Sequence, residues 1–304
     1  MTMLKTGEKA YPDYMEPAVR GKGAVLAAAR RHSVAVQQNG TVVAVGDGRA
    51  GECDVDRWEN VIAVAAGNVH TAGNTGKSHT VALRSDCSVL ATGWNHDRQC
   101  DIGEWRDIAA VAAGWRRTLG VRLDGTVVAT GRRAEDACDT ETWRDITAVS
   151  CGDWHSVGLR EDGSALATGN NQRGQCAVEE WQDLTAVAAG CFHTIGLRRD
   201  GKVLTTRGPA SVESAVAQRE EIVAVSTGSH HTVGVTATGR VLAVGDNSYG
   251  QFDVALWRDV VAIAAGSTHT LGLCADGTLV SAGNDADGRR DVASWVNIRR
   301  PDGD

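Results

Sequence analysis

The chain has 304 residues and a formal net charge of −7, with no basic tail. Such a chain is poorly suited to neutralising phosphates, so we expect no nucleic-acid partner. Its apolar runs are too short to span a bilayer and its first residues lack a secretion-signal pattern. We therefore expect a cytoplasmic protein, or else a mature form with its signal removed, without a membrane partner.

The predicted elements begin at residue 24. Residues 1–23 precede any recognisable pattern and form a predicted N-terminal extension, either a disordered tail or a lid over one face. The first run, AVLAAA at 24–29, is small and apolar, and an alternating run starts at His32. Asn-Gly or Asp-Gly pairs then lead into third runs, and such pairs predict hairpins with type I′ turns.

This order of runs recurs along the chain. Column glycines stand 38 residues apart, and Gly67 and Ala29 extend the series if nine residues near 68–78 are an insertion; the regular members are Gly114, Gly152, Gly190, Gly228 and Gly266. Seven copies result. Each copy holds three clear strand-like runs and a weak fourth run, and four-stranded repeats of this length are typical of β-propeller blades.

Three further columns confirm the register. A tryptophan column comprises Trp58, Trp105, Trp143, Trp181, Trp257 and Trp295, with Arg219 as its exception. A histidine column comprises His32, His79, His155, His193, His231 and His269, with Arg117 as its exception. We interpret the tryptophans as blade-packing residues and the histidines as hydrogen-bonded structural groups.

A cysteine column holds Cys53, Cys100, Cys138 and Cys176. Metal ligands must converge on one ion, whereas residues that recur once per blade are spread around a ring. We therefore interpret these cysteines as small core residues, and we expect no metal site and no cofactor.

The predicted fold is all-β, a single seven-bladed β-propeller over residues 24–304. The last copy stops before its next inner strand, and the chain begins with an orphan inner strand. We therefore expect N-terminal and C-terminal strands to pair and close the ring, which leaves few exposed strand edges. We expect a monomer.

The repeated pattern VAAGxxHTxGLRxDGxVxATGxNxxGQC resembles the repeats of the regulator of chromosome condensation family over residues 24–298. The period is shorter than that of the eukaryotic members and closer to that of β-lactamase inhibitory protein II, a bacterial seven-bladed relative. The resemblance implies a propeller, but it implies no single function.

The insertion contains GNTGKS, which looks like a phosphate-binding loop. That motif requires a glycine five residues before Gly76, but position 71 is a threonine, and no strand–helix pattern surrounds it. We therefore interpret the segment as a lengthened loop between the first and second strands of one blade.

The loops before the second strands and after the third strands share one face of a meandering blade. This face varies between copies and collects the tryptophans outside the column, whereas the other face is monotonous. Aromatic residues with scattered charges are typical of binding hot spots. The residues predicted to bind are Trp94, Trp115, Arg116, Trp154, Phe192, His230, Tyr249 and His70.

Two functions remain open at this point. The first is a binding module whose variable face holds a protein partner. The second is an enzyme of small-molecule metabolism, a cyclase or isomerase with a Trp/His-lined pocket at the axis of the same face. In that case His230 would act as acid or base, with Asp153 and Arg117 as further candidate catalytic residues.

Overall fold

The computed structural model describes residues 23–68, 77–206 and 221–301. Within these ranges the chain forms seven antiparallel sheets, each built from three consecutive strands. The prediction of an all-β fold with seven repeated blades is confirmed. Blades are numbered 1 to 7 here in chain order.

The strands of blades 1 to 4 are β1 (Leu26–Ala28), β2 (His32–Val36), β3 (Val42–Gly46), β4 (Val61–Ala66), β5 (His79–Arg84), β6 (Val89–Gly93), β7 (Ile108–Gly114), β8 (Arg117–Arg122), β9 (Val127–Gly131), β10 (Ile146–Cys151), β11 (His155–Arg160) and β12 (Ala165–Gly169). The strands of blades 5 to 7 are β13 (Leu184–Ala189), β14 (Thr194–Arg198), β15 (Val203–Thr205), β16 (Ile222–Thr227), β17 (His231–Thr236), β18 (Val241–Gly245), β19 (Val260–Ala265), β20 (His269–Cys274) and β21 (Leu279–Gly283).

The hairpin between second and third strands differs from the predicted type I′ turn. In blade 3 the positive φ falls on Gly125 (φ 77°) and not on Asp124. Asp124 Oδ1 accepts the backbone N–H of Thr126 at 2.9 Å and the hydroxyl of Thr126 at 2.6 Å. This Asx contact keeps the aspartate at negative φ, so the loop is a type I turn followed by a left-handed glycine.

The predicted fourth run is not a strand in the described ranges, where it forms consecutive turns. The side-chain oxygens of Asn95 and Asn171 accept backbone N–H groups five residues later, from Cys100 at 2.8 Å and Cys176 at 2.9 Å. Because these side chains and nearby carbonyls satisfy the backbone locally, the segment has no need of a ladder partner.

The apolar core lies between neighbouring blades. The cluster between blades 3 and 4, for example, joins Leu119 and Val121 to Trp143 and Ile146. The ring of Trp143 covers Gly158 in the second strand of blade 4, where a Cβ would lie 2.7 Å from Cζ3. The prediction that the column tryptophans pack blades together is confirmed.

The first strands of all seven blades, β1, β4, β7, β10, β13, β16 and β19, line one central cavity of about 700 Å³. Its wall is mainly alanine and valine, because small side chains allow seven strands to approach a common axis. The lining extends on one side to Glu161 and Arg199, in the turns that follow the second strands.

The two chain ends meet at blade 1. Strand β1 pairs with β2 within its own blade, and Leu26 lies opposite Ala35. An isolated antiparallel bridge joins Gln37 to Ile298, and the N–H of Arg299 donates to Val36 O at 2.9 Å. Blade 1 thus contacts blade 7 through both backbone and core.

The predicted extension 1–23 lies outside the described residues except for Gly23, and most of the insertion near 68–78 also lies outside them. Both domain assignments stay predictions. In the three described ranges, no helix has the length and apolar character needed to cross a membrane.

Candidate functional site

A belt of hydrogen bonds links each blade to the next. The Nε2 atom of each column histidine lies 2.7 to 3.0 Å from a threonine or serine hydroxyl of the following blade. The pairs are His32–Thr80, His79–Thr118, His155–Thr194, His193–Thr232, His231–Thr270 and His269–Ser33. The predicted structural role of the column histidines is confirmed.

The belt fixes the histidine tautomer. The Thr118 hydroxyl donates its single proton to Gln99 O at 2.7 Å, so it must accept from the Nε2–H of His79. Burial lowers the pKa of His79 to about 3 and that of His32 to about 4, because the charged form would lose its hydration. Burial also lowers the pKa of His155, His231 and His269, so these five belt histidines are neutral at pH 7.

The glycine column is explained by close backbone approach between neighbouring blades and by the same belt. A Cβ at Gly152 would overlap Gly190 O and lie 2.9 Å from Cε1 of His155, and one at Gly190 would lie 2.6 Å from Cε1 of His193. Any larger residue would clash with the backbone of the next blade or displace the imidazole ring from its partner hydroxyl.

Arg117 replaces the histidine in blade 3 and makes a denser link. Its Nε donates to the Ser156 hydroxyl at 3.0 Å, and its Nη atoms donate to the carbonyls of Gly152 at 2.7 Å, Asp153 at 3.0 Å, and His155. The side chain is 2% exposed. The guanidinium thus holds the loop that carries Asp153 and Trp154.

The inner loops before the second strands and the outer loops after the third strands meet on one face, which we call the loop face. Around its centre stand the residues that follow the column glycines, among them Asn68, Trp115, Asp153, Cys191, Ser229 and Ser267. Asp153 is 1% exposed and Cys191 is 0% exposed, so this centre is filled by side chains.

Contacts across the axis hold these central residues together. The Ser229 hydroxyl lies 3.5 Å from Asp153 Oδ2 and 3.3 Å from Ser267 Oγ, and its single proton is donated to one of these acceptors at a time. The Ser267 hydroxyl donates to Asn68 Oδ1 at 2.5 Å. Burial, and then the charge of Asp153, raise the pKa of Cys191, so its thiol stays protonated.

An aromatic and cationic cluster adjoins this centre. The rings of Trp115 and Trp154 meet edge to face, with centroids 4.4 Å apart. The guanidinium carbons of Arg116 and Arg132 lie 4.9 and 5.1 Å from the Trp115 ring. Trp115 is buried and Trp154 is half-buried, so the pair is a rigid base whose edge faces solvent.

Two outer loops extend the cluster. On blade 2, Trp94 stacks on His96 with centroids 5.7 Å apart, and Asp97 pairs with Arg116 at 3.3 Å. Between blades 4 and 5, the guanidinium carbon of Arg173 lies 4.3 Å from the Phe192 ring centroid. We call this surface over blades 2 to 5 the arginine–tryptophan patch; it comprises Trp94, His96, Asp97, Arg98, Trp115, Arg116, Arg132, Arg133, Glu135, Asp136, Trp154, Arg173 and Phe192.

Five predicted binding residues thus belong to one surface: Trp94, Trp115, Arg116, Trp154 and Phe192. Two others lie on blade 6, where His230 is half-buried and Tyr249 is exposed. The charge of His230 lowers the pKa of Asp246, after the larger effect of the hydrogen bond from Ser248. His70 lies outside the described residues. The catalytic roles considered for His230, Asp153 and Arg117 stay predictions.

The prediction did not select Arg132 and Arg173, although both stand in the variable outer loops. Their importance comes from contacts between different loops, and sequence spacing does not reveal these. None of Trp115, Trp154, Phe192 and His230 lines the central cavity.

The four column cysteines lie near backbone carbonyls of their own turns, for example Cys138 Sγ 3.2 Å from Arg132 O. All eight cysteines of the described ranges are free. In the part of the chain that the structure describes, no three His, Cys, Asp or Glu side chains group as metal ligands would.

Three of the seven repeats match a known repeat family. Residues 146–175, 222–251 and 260–289 match the regulator of chromosome condensation (RCC1) repeat. These segments are RCC1 repeats. They cover blades 4, 6 and 7, and the same columns extend the pattern to the other blades. A comparison with curated protein sequences gave no significant match.

Solved propellers share the fold of these RCC1 repeats. The CRINKLY WD40 ectodomain of the Arabidopsis thaliana receptor kinase ACR4 is 17% identical with a TM-score of 0.67, covering 86% of this chain and 98% of that one. Prp20p of Saccharomyces cerevisiae, described with its binding to Gsp1p and histones, is 17% identical with a TM-score of 0.60, covering 85% and 81%.

A second structure of the yeast protein, RCC1 (Prp20) with Kap60 bound, is 15% identical with a TM-score of 0.63, covering 98% of this chain and 87% of that one. At these identities the likeness shows a shared propeller fold. The resemblance in repeat length to β-lactamase inhibitory protein II stays a prediction.

Proposed function

We propose that this chain is a protein-binding propeller that contacts its partner through the loop face. The observation that carries the proposal is the Trp115–Trp154 pair, which is packed edge to face and braced by two arginines. Rigid aromatic anchors bind partners with little loss of side-chain entropy, and Trp and Arg are enriched in binding hot spots.

The related propellers support a protein partner. Yeast Prp20p is described with its binding to Gsp1p and histones, and a structure of Kap60 bound to yeast RCC1 (Prp20) is known. The filled centre of the loop face also favours a broad protein contact over a deep small-molecule pocket there, since small ligands bind in concave sites.

We further propose that the seven blades close into a ring through the paired chain ends, so that the loop face is a single rigid surface. The Gln37–Ile298 bridge and the His269–Ser33 hydrogen bond support this closure. A closed ring fixes the loops of all blades relative to one another, which lowers the ordering cost of binding.

The proposal predicts that Trp154→Ala weakens partner binding. Proteins captured from an extract of the source cells by the immobilised wild-type chain are compared with those captured by the variant. A protein bound through the loop face is expected to lose roughly tenfold or more in capture by the variant, since truncating a hot-spot anchor costs about 2 kcal/mol.

The control is Gln182→Ala, which alters an exposed residue just after Trp181, at the junction leading to the other face. Capture by this variant should equal that of the wild type. If every captured protein binds the Trp154→Ala variant as well as the wild type, the loop face is not the binding surface.

A further inference from the structure

The arginine–tryptophan patch contains more arginines than acidic residues, and its excess positive charge lies on two arginines at its edges. Arg173 is exposed and its guanidinium is stacked over Phe192. Among the described residues, no carboxylate or carbonyl accepts a hydrogen bond from this guanidinium. Contact with the ring restrains the exposed guanidinium, and a restrained guanidinium can bind a carboxylate bidentately.

Arg98, on the outer loop of blade 2, is the second such residue. Its backbone is held in a left-handed conformation (φ 66°), and its carbonyl accepts the Thr130 hydroxyl at 2.8 Å. The side chain is exposed and has no ion pair within the described part of the chain. The backbone of this loop is therefore held in place, and the guanidinium charge of Arg98 is accessible to a partner.

The arginines between them are paired with carboxylates. Arg116 pairs with Asp97 at 3.3 Å, and Arg132 donates to both carboxylate oxygens of Glu135. Arg133 lies 3.4 Å from Glu141, and that pair is solvent-exposed and weak. Asp136, on the same outer loop as Arg132 and Arg133, is also exposed. The positive charge of the patch is therefore located at separate arginines and is not continuous.

We propose that the arginine–tryptophan patch binds an acidic segment of a partner protein that carries carboxylates beside an aromatic or large apolar side chain. The carboxylates pair with Arg173 and Arg98, and the apolar side chain packs against Trp154 and Phe192, which are half-buried. This inference rests on the proposed function and names the chemistry of the partner.

A nucleic acid is the less favoured occupant of the same surface. Arginines and aromatic rings can also hold phosphates and bases. The chain carries a net charge of −7, however, and Asp97, Glu135 and Asp136 interrupt the patch. A phosphate backbone would meet these acids along its length, whereas a short segment with two or three carboxylates can avoid them.

The test is a selection of phage-displayed random 12-residue peptides on the wild-type chain. The enriched peptides are then measured against the wild-type chain and against the Arg98→Glu/Arg173→Glu double variant. Enriched peptides are expected to carry Asp or Glu within two positions of an aromatic or large apolar residue. Fluorescein-labelled versions should bind the double variant at least tenfold more weakly than the wild type.

The matched control is Arg199→Glu, which reverses an exposed arginine in the turn after β14, on the opposite side of the molecule. It should leave peptide affinity unchanged. A labelled twelve-nucleotide thymidine strand serves as the competing probe. Binding of this strand that the double variant abolishes would overturn the proposal, as would enrichment of basic peptides or of none.

The outcomes also separate this inference from the proposed function. Enriched peptides that lack acidic residues but lose affinity with Trp154→Ala would leave the loop face as a binding surface and refute the acidic partner. Peptides that bind regardless of Trp154, Arg98 and Arg173 would refute both.

Discussion

At the residue scale, Cys87 departs from its column. It occupies the turn position that glycine fills in all six other blades, Gly125, Gly163 and Gly201 among them, and it adopts φ 64°. A side chain in this left-handed region costs about 1 to 2 kcal/mol relative to right-handed backbone. Glycine has no such penalty, although its greater freedom in the unfolded chain offsets part of the gain.

We therefore expect Cys87→Gly to raise the free energy of unfolding by about 0.5 to 1 kcal/mol, measured by urea denaturation under reducing conditions. The reverse change, Gly125→Cys in blade 3, should lower it by a similar amount. Equal stability of both variants and the wild type would show that the turn strain is relieved in some other way.

At the element scale, Arg117 joins blades 3 and 4 more firmly than the histidine of other blades. A histidine at this position could restore a link to Ser156, as His269 links to Ser33. It could not reach the three carbonyls of Gly152, Asp153 and His155. The loop with Trp154 would then lose its main anchor.

Arg117→His is expected to lower the free energy of unfolding by about 1 to 3 kcal/mol, because buried carbonyls lose their donors. Tryptophan emission should change as the Trp115–Trp154 contact loosens. Arg122→His, half-buried on the same strand, is the control and should cost under about 0.5 kcal/mol. Unchanged emission and stability in Arg117→His would contradict the anchoring role.

The sequence predicts the repeated elements well, because residues such as Trp143 and Gly152 recur at fixed spacing and each blade repeats the same packing problem. It fails at the fourth run. The apolar residues there suggested a strand, but Asn95 and Asn171 bind backbone N–H groups five residues on and convert the segment into turns. The competition between these side-chain hydrogen bonds and the backbone hydrogen bonds of a strand leaves no periodic pattern in the sequence.

The candidate site is predictable only in part for a related reason. Because the loops of a meandering blade alternate between its two faces, the sequence alone places Trp115, Trp154 and Phe192 on one face. The stacking of Arg173 on Phe192 joins an outer loop to the inner loop of the next blade. Such a contact depends on the rotation between blades, which the spacing of residues along the chain does not determine.

At the scale of the whole molecule, the histidine belt makes stability depend on pH. Burial lowers the pKa of His155 to about 3 and that of His231 to about 4, and the pKa of His269 falls well below its ordinary value. In the unfolded chain each histidine titrates near 6.5. The unfolded state therefore binds more protons than the folded state at every pH between these values.

It follows that the belt contributes its full stability above about pH 6.5 and loses it as the pH falls toward 4. A histidine with a folded pKa of about 4 loses roughly 2 kcal/mol between pH 7 and pH 5. Five such residues together approach the whole stability of a typical domain, about 5 to 15 kcal/mol. Carboxylates whose pKa is lowered in the folded state, such as Asp86, change the free energy of unfolding only at still lower pH, where they gain protons.

We expect the free energy of unfolding, measured in urea at pH 7, 6 and 5, to fall more steeply at each step. Each titrating histidine adds up to about 1.4 kcal/mol per pH unit to the slope. His155→Gln keeps an amide that can donate to Thr194 and should remove one such increment, whereas His96→Gln, at an exposed site, should leave the slope unchanged. A stability that stays constant from pH 7 to pH 5 would show that the buried imidazoles gain protons without unfolding.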